Sequence, residues 1–149
     1  MTVLAYTTTV PIRSTIAAID DVLTKYGAHN VTKLGPSKAP TGIGFDLETE
    51  LGLQTFRLPV NPDRVQKKLK AQYDQGGTTI TKKETTPEHV ERVAWRQLLR
   101  WLESHLAAID GGLFTAAQLM TPFLEIRPGV SVYELLGSHP ERLALSAGR

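Results

Sequence analysis

The sequence predicts an α+β fold: an antiparallel sheet of three or four strands packed with helices, and a long C-terminal amphipathic helix. Three observations carry this expectation. Residues 86–112 (TPEHVERVAWRQLLRWLESHLAAIDGG) hold a helical period of apolar residues throughout. Residues 42–60 change to a period of two. Residues 11–26 form a second amphipathic repeat, opened by a proline and closed by Gly27.

In chain order, residues 2–10 (TVLAYTTTV) are β-branched and aromatic and read as a first strand. Pro11 opens a helix to about Tyr26, with Ile12, Ile16, Ile19, Leu23 and Tyr26 inward and Asp20, Asp21 and Lys25 in solvent. His29–Leu34 is the next strand, followed by the loop Gly35–Thr41 with its two prolines. In 42–48, Ile43, Phe45 and Leu47 share one face. In 54–60, Phe56, Leu58 and Val60 point inward while Thr55 and Arg57 point outward, and Thr49–Gly52 is the hairpin turn. Asp46 and Glu48 then face Thr55 and Arg57, and a surface salt bridge is expected across the hairpin. Gly42 and Gly44 sit in this strand pattern, where close packing is a better use for glycine than phosphate cradling.

Asn61-Pro62 starts a helix to about Tyr73 whose outer side carries Arg64, Lys67, Lys68 and Lys70. Residues 74–87 (DQGGTTITKKETTP) have loop composition, the kind of long connection that is mobile or functional. In the long helix, Thr85 or Thr86 is the expected cap, Pro87 suits the first turn and Glu88 completes a Thr-x-x-Glu box from Thr85. Val90, Ala94, Trp95, Leu98, Leu99, Trp101, Leu102, Leu106, Ala108 and Ile109 fill an arc of roughly 180° at ~100° per residue. So wide an arc calls for cover from the domain, from a second subunit, or from both, and a homo-oligomer is expected. Thr115-x-x-Gln118 caps a short helix ending before Pro122. Phe123, Leu124 and Ile126 are expected to pack, and Ser131–Leu136 to make a last helical turn. Residues 1–137 read as a single α+β domain and 138–149 as a frayed tail.

The chain has 149 residues, is 41% hydrophobic and lacks cysteine, which bounds it to one cored domain without disulfides or thiolate metal ligands. Neither a signal peptide nor an apolar run of membrane-spanning length is recognisable, so no membrane partner is expected and the cytoplasm is the default location. Seventeen Lys+Arg against fifteen Asp+Glu leaves a formal charge of +2, small for a protein that tracks a long polyanion. A local basic site remains open.

Phosphate-loop, dinucleotide, zinc-protease and nucleophile-elbow motifs are absent. The four histidines, His29, His89, His105 and His139, are far apart in sequence, and His105 falls inside the apolar arc as a core or interface residue. Asp20 and Asp21 diverge on their helix and cannot act as a pair. No catalytic residue, metal ligand or cofactor is assigned, and the protein is expected not to be an enzyme. Chemistry then rests on the basic positions. Arg92, Arg96 and Arg100, spaced by four, form a ridge with Glu103 and Asp110 opposite the arc, and Arg57 projects from a strand. Arginine's planar fork suits bidentate phosphate recognition. Glu88 stands four residues before Arg92 and Glu103 three after Arg100, so helical ion pairs compete for this charge.

Several phrases of the chain, Tyr6-Thr7-Thr8-Thr9-Val10-Pro11 with Thr15-Ile16, Tyr26-Gly27-Ala28, Phe56-Arg57-Leu58-Pro59, Arg92-Val93-Ala94-Trp95-Arg96, Trp101-Leu102-Glu103 and Pro122-Phe123-Leu124, span about residues 5–125. In these the chain resembles a family of small accessory proteins of tailed phages and prophages. The resemblance implies a viral protein acting in the host cytoplasm, beside replication genes or among counter-defence genes; the sponges that sequester nucleotide immune signals are an analogy of size and context.

The favoured expectation is a phosphate-bearing nucleotide bound without catalysis, sequestering a host defence signal. Arg57, Arg92, Arg96 and Arg100 would hold phosphate, with Trp95 packing the base where it is accessible. A single-stranded nucleic-acid-binding protein of phage replication or recombination, using the lysine helix as a longer track, is the alternative. A protein–protein inhibitor acting through the apolar arc is a third.

Overall fold

The computed structural model describes residues 3–142. The fold is α+β, with a three-stranded antiparallel sheet, a separate two-stranded sheet and one long helix. The chain divides into two compact units. The first joins the residues up to Tyr26 to Pro59–Ala107, and the second joins Gly27–Leu58 to the residues from Ala108 on.

The first unit opens on residues 3–10, which form a turn and extended coil instead of the expected strand. Ala5 takes a left-handed φ of 63°, and Tyr6 N donates to Val3 O and Thr8 N to Ala5 O. The polar groups of this strap are met by side chains rather than by a strand. Gln97 Nε2 donates to the Leu4 carbonyl at 3.1 Å, and His89 Nε2 bonds the Tyr6 carbonyl. The β-propensity of the segment is overridden by these tertiary partners.

Helix α1 (Ile12–Lys25) follows, burying Thr15, Ile19 and Leu23. It stops at Gly27, whose φ of +91° suits a residue without Cβ. Helix α2 (Pro62–Gln75) is capped by Asn61, whose Oδ1 accepts from Asp63 N at 3.1 Å. A 3-10 turn (Lys82–Thr85) leads into helix α3 (Pro87–Asp110). The capping box lies one turn earlier than expected: Glu84 Oε1 accepts from Thr81 N at 2.8 Å and from Thr81 Oγ1 at 3.0 Å. Thr85 and Thr86 instead turn their hydroxyls back to the carbonyls of Lys82 and Lys83. The Thr86 carbonyl starts α3 by accepting from Val90 N. Ile80 is buried with Leu69 of α2 and Val90 of α3, and Val3, Tyr6 and Val65 pack on that cluster, so the 74–87 connection is anchored by its one bulky apolar residue.

The second unit holds β1 (His29–Leu34), β2 (Gly42–Thr49) and β3 (Gly52–Pro59) in that order. Burial alternates along β3, with Phe56 and Leu58 buried between exposed Thr55 and Pro59 and half-buried Arg57, whereas β2 is buried on both faces from Gly42 to Phe45. Gly44 pairs with Thr32, and a Cβ there would lie 3.2 Å from both Leu34 Cδ2 and Thr32 Oγ1. Close packing is the role of this glycine. The rings of Phe45 and Phe56 meet at 5.7 Å.

Asp46 does not pair with Arg57. It accepts from Thr55 Oγ1 at 2.6 Å and from Asn30 Nδ2 at 2.8 Å, and these bonds hold its carboxyl below the usual range. Helix α4 (Ala116–Met120) is capped by Thr115 with Gln118, as the sequence predicts. A hairpin of β4 (Glu125–Arg127) and β5 (Val130–Ser131) was not expected. It turns at Pro128-Gly129, where Gly129 has a φ of +77°. Leu124 makes an isolated bridge to Phe56, but Ile126 is 42% exposed rather than packed. Helix α5 (Val132–Gly137) is capped by Ser131, and Pro140–Arg142 makes a 3-10 turn. Of the expected frayed tail, residues 143–149 lie outside the described residues.

Candidate functional site

The α3 arginines fare differently from one another. Arg100 is exposed and pairs with Glu103 at 3.7 Å, as the helical spacing suggested. The parallel pair from Glu88 to Arg92 is not formed. Arg92 is half-buried instead, and its Nε is shielded from solvent without a hydrogen-bond partner. Arg96 is half-buried and free of ion pairs among the described residues. Arg57, on β3, belongs to the second unit and is likewise half-buried without an ion pair.

Trp95 is 2% exposed, so the condition for its stacking on a base is not met and it serves the core. The arc around it is covered as well: Val90, Ala94, Leu99, Leu102 and Leu106 are buried, and Leu98, Trp101, Ala108 and Ile109 are half-buried. His105 stacks on Trp101 with centroids 4.0 Å apart and donates from Nδ1 to the Trp101 carbonyl at 2.8 Å. The width of the arc therefore does not by itself require a second subunit. The large exposed apolar residues lie mostly in the second unit. Among them Leu113 and Phe114 line a hollow of about 400 Å³ with Glu48, Thr49 and Glu50.

Arg92 opens onto a cavity of about 260 Å³ within the first unit, lined by Thr7, Thr9, Thr81, Lys83, Glu84, His89 and Arg92. Each element supplies its part for a local reason. The strap delivers Thr7 and Thr9 because His89 and Gln97 hold its backbone on α3. The capping box fixes Thr81 and Glu84, and the 3-10 turn it starts presents Lys83. Two cations stand against one carboxylate, with three threonines around them, of which Thr81 already donates its hydroxyl to Glu84. A carbonyl only accepts, so His89 Nε2 carries a proton for Tyr6, and in the neutral ring Nδ1 is left as an acceptor. The cavity thus offers charged donors for an anion and two kinds of acceptor beside them.

Of these residues the sequence alone points only to Arg92 as a ligand-binding residue. The threonine run 7–9, the Lys82-Lys83 pair and the length of the 74–87 connection were the signals for the rest, but nothing local ties them to Arg92. A second, shallower groove of about 630 Å³ in the same unit is lined by residues including Val3, Leu4, Arg64, Lys68, Gln75 and Gln97. Among the described residues no group of His, Asp or Glu is arranged to hold a metal ion, and no helix is long and apolar enough to cross a membrane. No family model, no curated protein and no solved structure matches this chain.

Proposed function

We propose that the protein binds a phosphate-bearing nucleotide without turning it over, and that the phosphoryl group enters the cavity at Arg92. One observation carries this reading: Arg92, which forms no ion pair among the described residues, lines a cavity with Lys83, Thr7, Thr9 and Thr81. Two like charges at one cavity repel each other, and an anionic ligand would offset that repulsion. The cavity is smaller than the ~300–1,000 Å³ typical of sites that enclose a whole small molecule, so the base would lie outside it. His89 and Glu84 are already tied to the strap and the 3-10 turn, which supports binding over turnover. The resemblance to phage accessory proteins supports a counter-defence role, with the protein sequestering a nucleotide signal in the host cytoplasm, and self-association belongs to the same reading.

Titration calorimetry with cyclic nucleotide signals, inorganic phosphate and single-stranded oligonucleotides tests it. Arg92→Met should weaken phosphate-dependent binding about tenfold or more, since charge-assisted bonds contribute roughly 1.5–3 kcal/mol each. Arg57→Ala tests the second unit's arginine separately. Wild-type protein that binds none of these ligands at millimolar concentration refutes the proposal.

The alternative, a single-stranded nucleic-acid track, is favoured by exposed Arg64, Lys67, Lys68 and Lys70 on α2 and by the groove that Arg64 and Lys68 line. It would appear as a log–log salt slope of about −0.7 per phosphate over six or more phosphates, where a compact nucleotide gives a shallow slope.

A further inference from the structure

We infer that the group seated at Arg92 is a phosphorylated ribose with free hydroxyls, so that the site selects ribonucleotides over deoxyribonucleotides; this rests on the phosphate reading above. The inference comes from the acceptors in the cavity. Arg92 and Lys83 suit an anion, and Glu84 and His89 line the same cavity with acceptors suited to ligand hydroxyls. Glu84 spends Oε1 on Thr81 N and Thr81 Oγ1, and Oε2 takes part in neither bond. His89 spends Nε2 on the Tyr6 carbonyl, which leaves Nδ1 as its acceptor. A carboxylate placed next to phosphate-binding cations also repels a dianion, and a hydroxyl donor on the ligand would offset that repulsion.

A sugar phosphate supplies that combination: an anionic group for the cations, and hydroxyls close by for the carboxylate and the imidazole. Carboxylates recognise ribose hydroxyls by this bond in dinucleotide-binding folds, and a site built to hold a hydroxyl rejects the analogue that lacks it. The cavity of about 260 Å³ is consistent with a sugar phosphate inside and a base outside. Internal nucleotides of DNA lack the 2′-hydroxyl and have the 3′-oxygen esterified, so they offer no donor here.

The test is calorimetric titration of the full chain with D-ribose 5-phosphate, 2-deoxyribose 5-phosphate and inorganic phosphate. Ribose 5-phosphate should bind about tenfold or more tightly than the deoxy sugar, the loss expected for one hydrogen bond to a charged group. Glu84→Gln keeps an amide oxygen for Thr81 but presents a donor where Oε2 accepts. That variant should bind inorganic phosphate at least as tightly as the wild type, because the repelling charge is gone, and lose the preference between the two sugars. Equal affinity for the two sugars in wild type overturns the inference and leaves the phosphate reading standing. A preference that survives in Glu84→Gln overturns the assignment to Glu84. Failure of all three ligands to bind at millimolar concentration refutes both readings together.

Discussion

Replacing Arg92 with methionine is expected to make the ligand-free protein more stable while removing its response to phosphate. In the wild type the Nε–H is buried without an acceptor, and Lys83 lines the same cavity with a like charge. Methionine keeps an unbranched stem of similar reach and nearly the same helix propensity, so little packing or backbone preference changes. An orphaned buried donor costs roughly 1–3 kcal/mol; because Arg92 is only half-buried, the low end applies, and a gain of about 1 kcal/mol is expected. For a chain of this length that corresponds to a rise in Tm of roughly 2–4 °C. Urea and thermal unfolding followed by tryptophan fluorescence suit the measurement, since both tryptophans lie on α3 in the first unit. Phosphate at ten times its Kd should add about 1.4 kcal/mol to the wild type by mass action and almost nothing to the variant. A variant that is less stable by 1 kcal/mol or more in phosphate-free buffer, or one that phosphate stabilises as well as the wild type, refutes the argument.

Thr15 is 1% exposed and its Oγ1 is unpartnered, so Thr15→Val should stabilise by about 1 kcal/mol; a loss of stability in urea titration would mean that the hydroxyl has a partner. Hydrogen bonds lower the pKa of Asp46 (from Asn30, then Thr55) and of Glu50 (from Thr115, then Ala117), so both stabilise the fold above their unfolded pKa and that contribution fades as pH falls through the folded values. Below about pH 4 hydrogen exchange should therefore rise around the 46–55 hairpin, and Asp46→Asn should flatten that dependence. Gly44→Val should cost roughly 1–3 kcal/mol by pushing the Leu34 and Thr32 side chains aside, read as a lower urea midpoint; an unchanged midpoint would show that these side chains yield freely. Light scattering at micromolar concentration should give a mass above 16.4 kDa that Leu113→Ser with Phe114→Ser lowers, because Leu51, Leu53, Leu113 and Phe114 are exposed in the second unit; a mass of 16.4 kDa in wild type refutes self-association.

Where the determinants were local, the sequence could be read. The period of α1, the hairpin of β2 and β3, the Asn61 cap and the Thr115–Gln118 box each depend on residues within a few positions of one another. The misreadings share another cause. The Thr-x-x-Glu pattern occurs twice in close succession, at 81–84 and 85–88, and the one that closes is the first, next to Ile80 packed beside Leu69 and Val90. Residues 3–10 have strand propensity, but their carbonyl partners are His89 and Gln97, more than eighty residues away. Arg92, Arg96 and Arg100 are equivalent in sequence; what separates them is that Thr7, Thr9, Thr81 and Lys83 surround the first and Glu103 neutralises the last. Turn chemistry at Pro128-Gly129 is legible in the sequence, but strands as short as β4 and β5 leave no periodicity beside it.

A carbonyl oxygen is the one group that every amino acid offers alike. The strap is held on α3 through two of them, at Leu4 and Tyr6, beside the packing of the Val3 and Tyr6 side chains, while Thr7 and Thr9 are the residues that line the cavity. Its position thus depends little on the side chains at Thr7 and Thr9. Selection for a different ligand can rewrite Thr7 and Thr9 while His89 and Gln97 go on gripping the same backbone atoms. Folding and ligand choice draw on separate atoms of one short segment, so this part of the molecule can diverge quickly without loosening its frame.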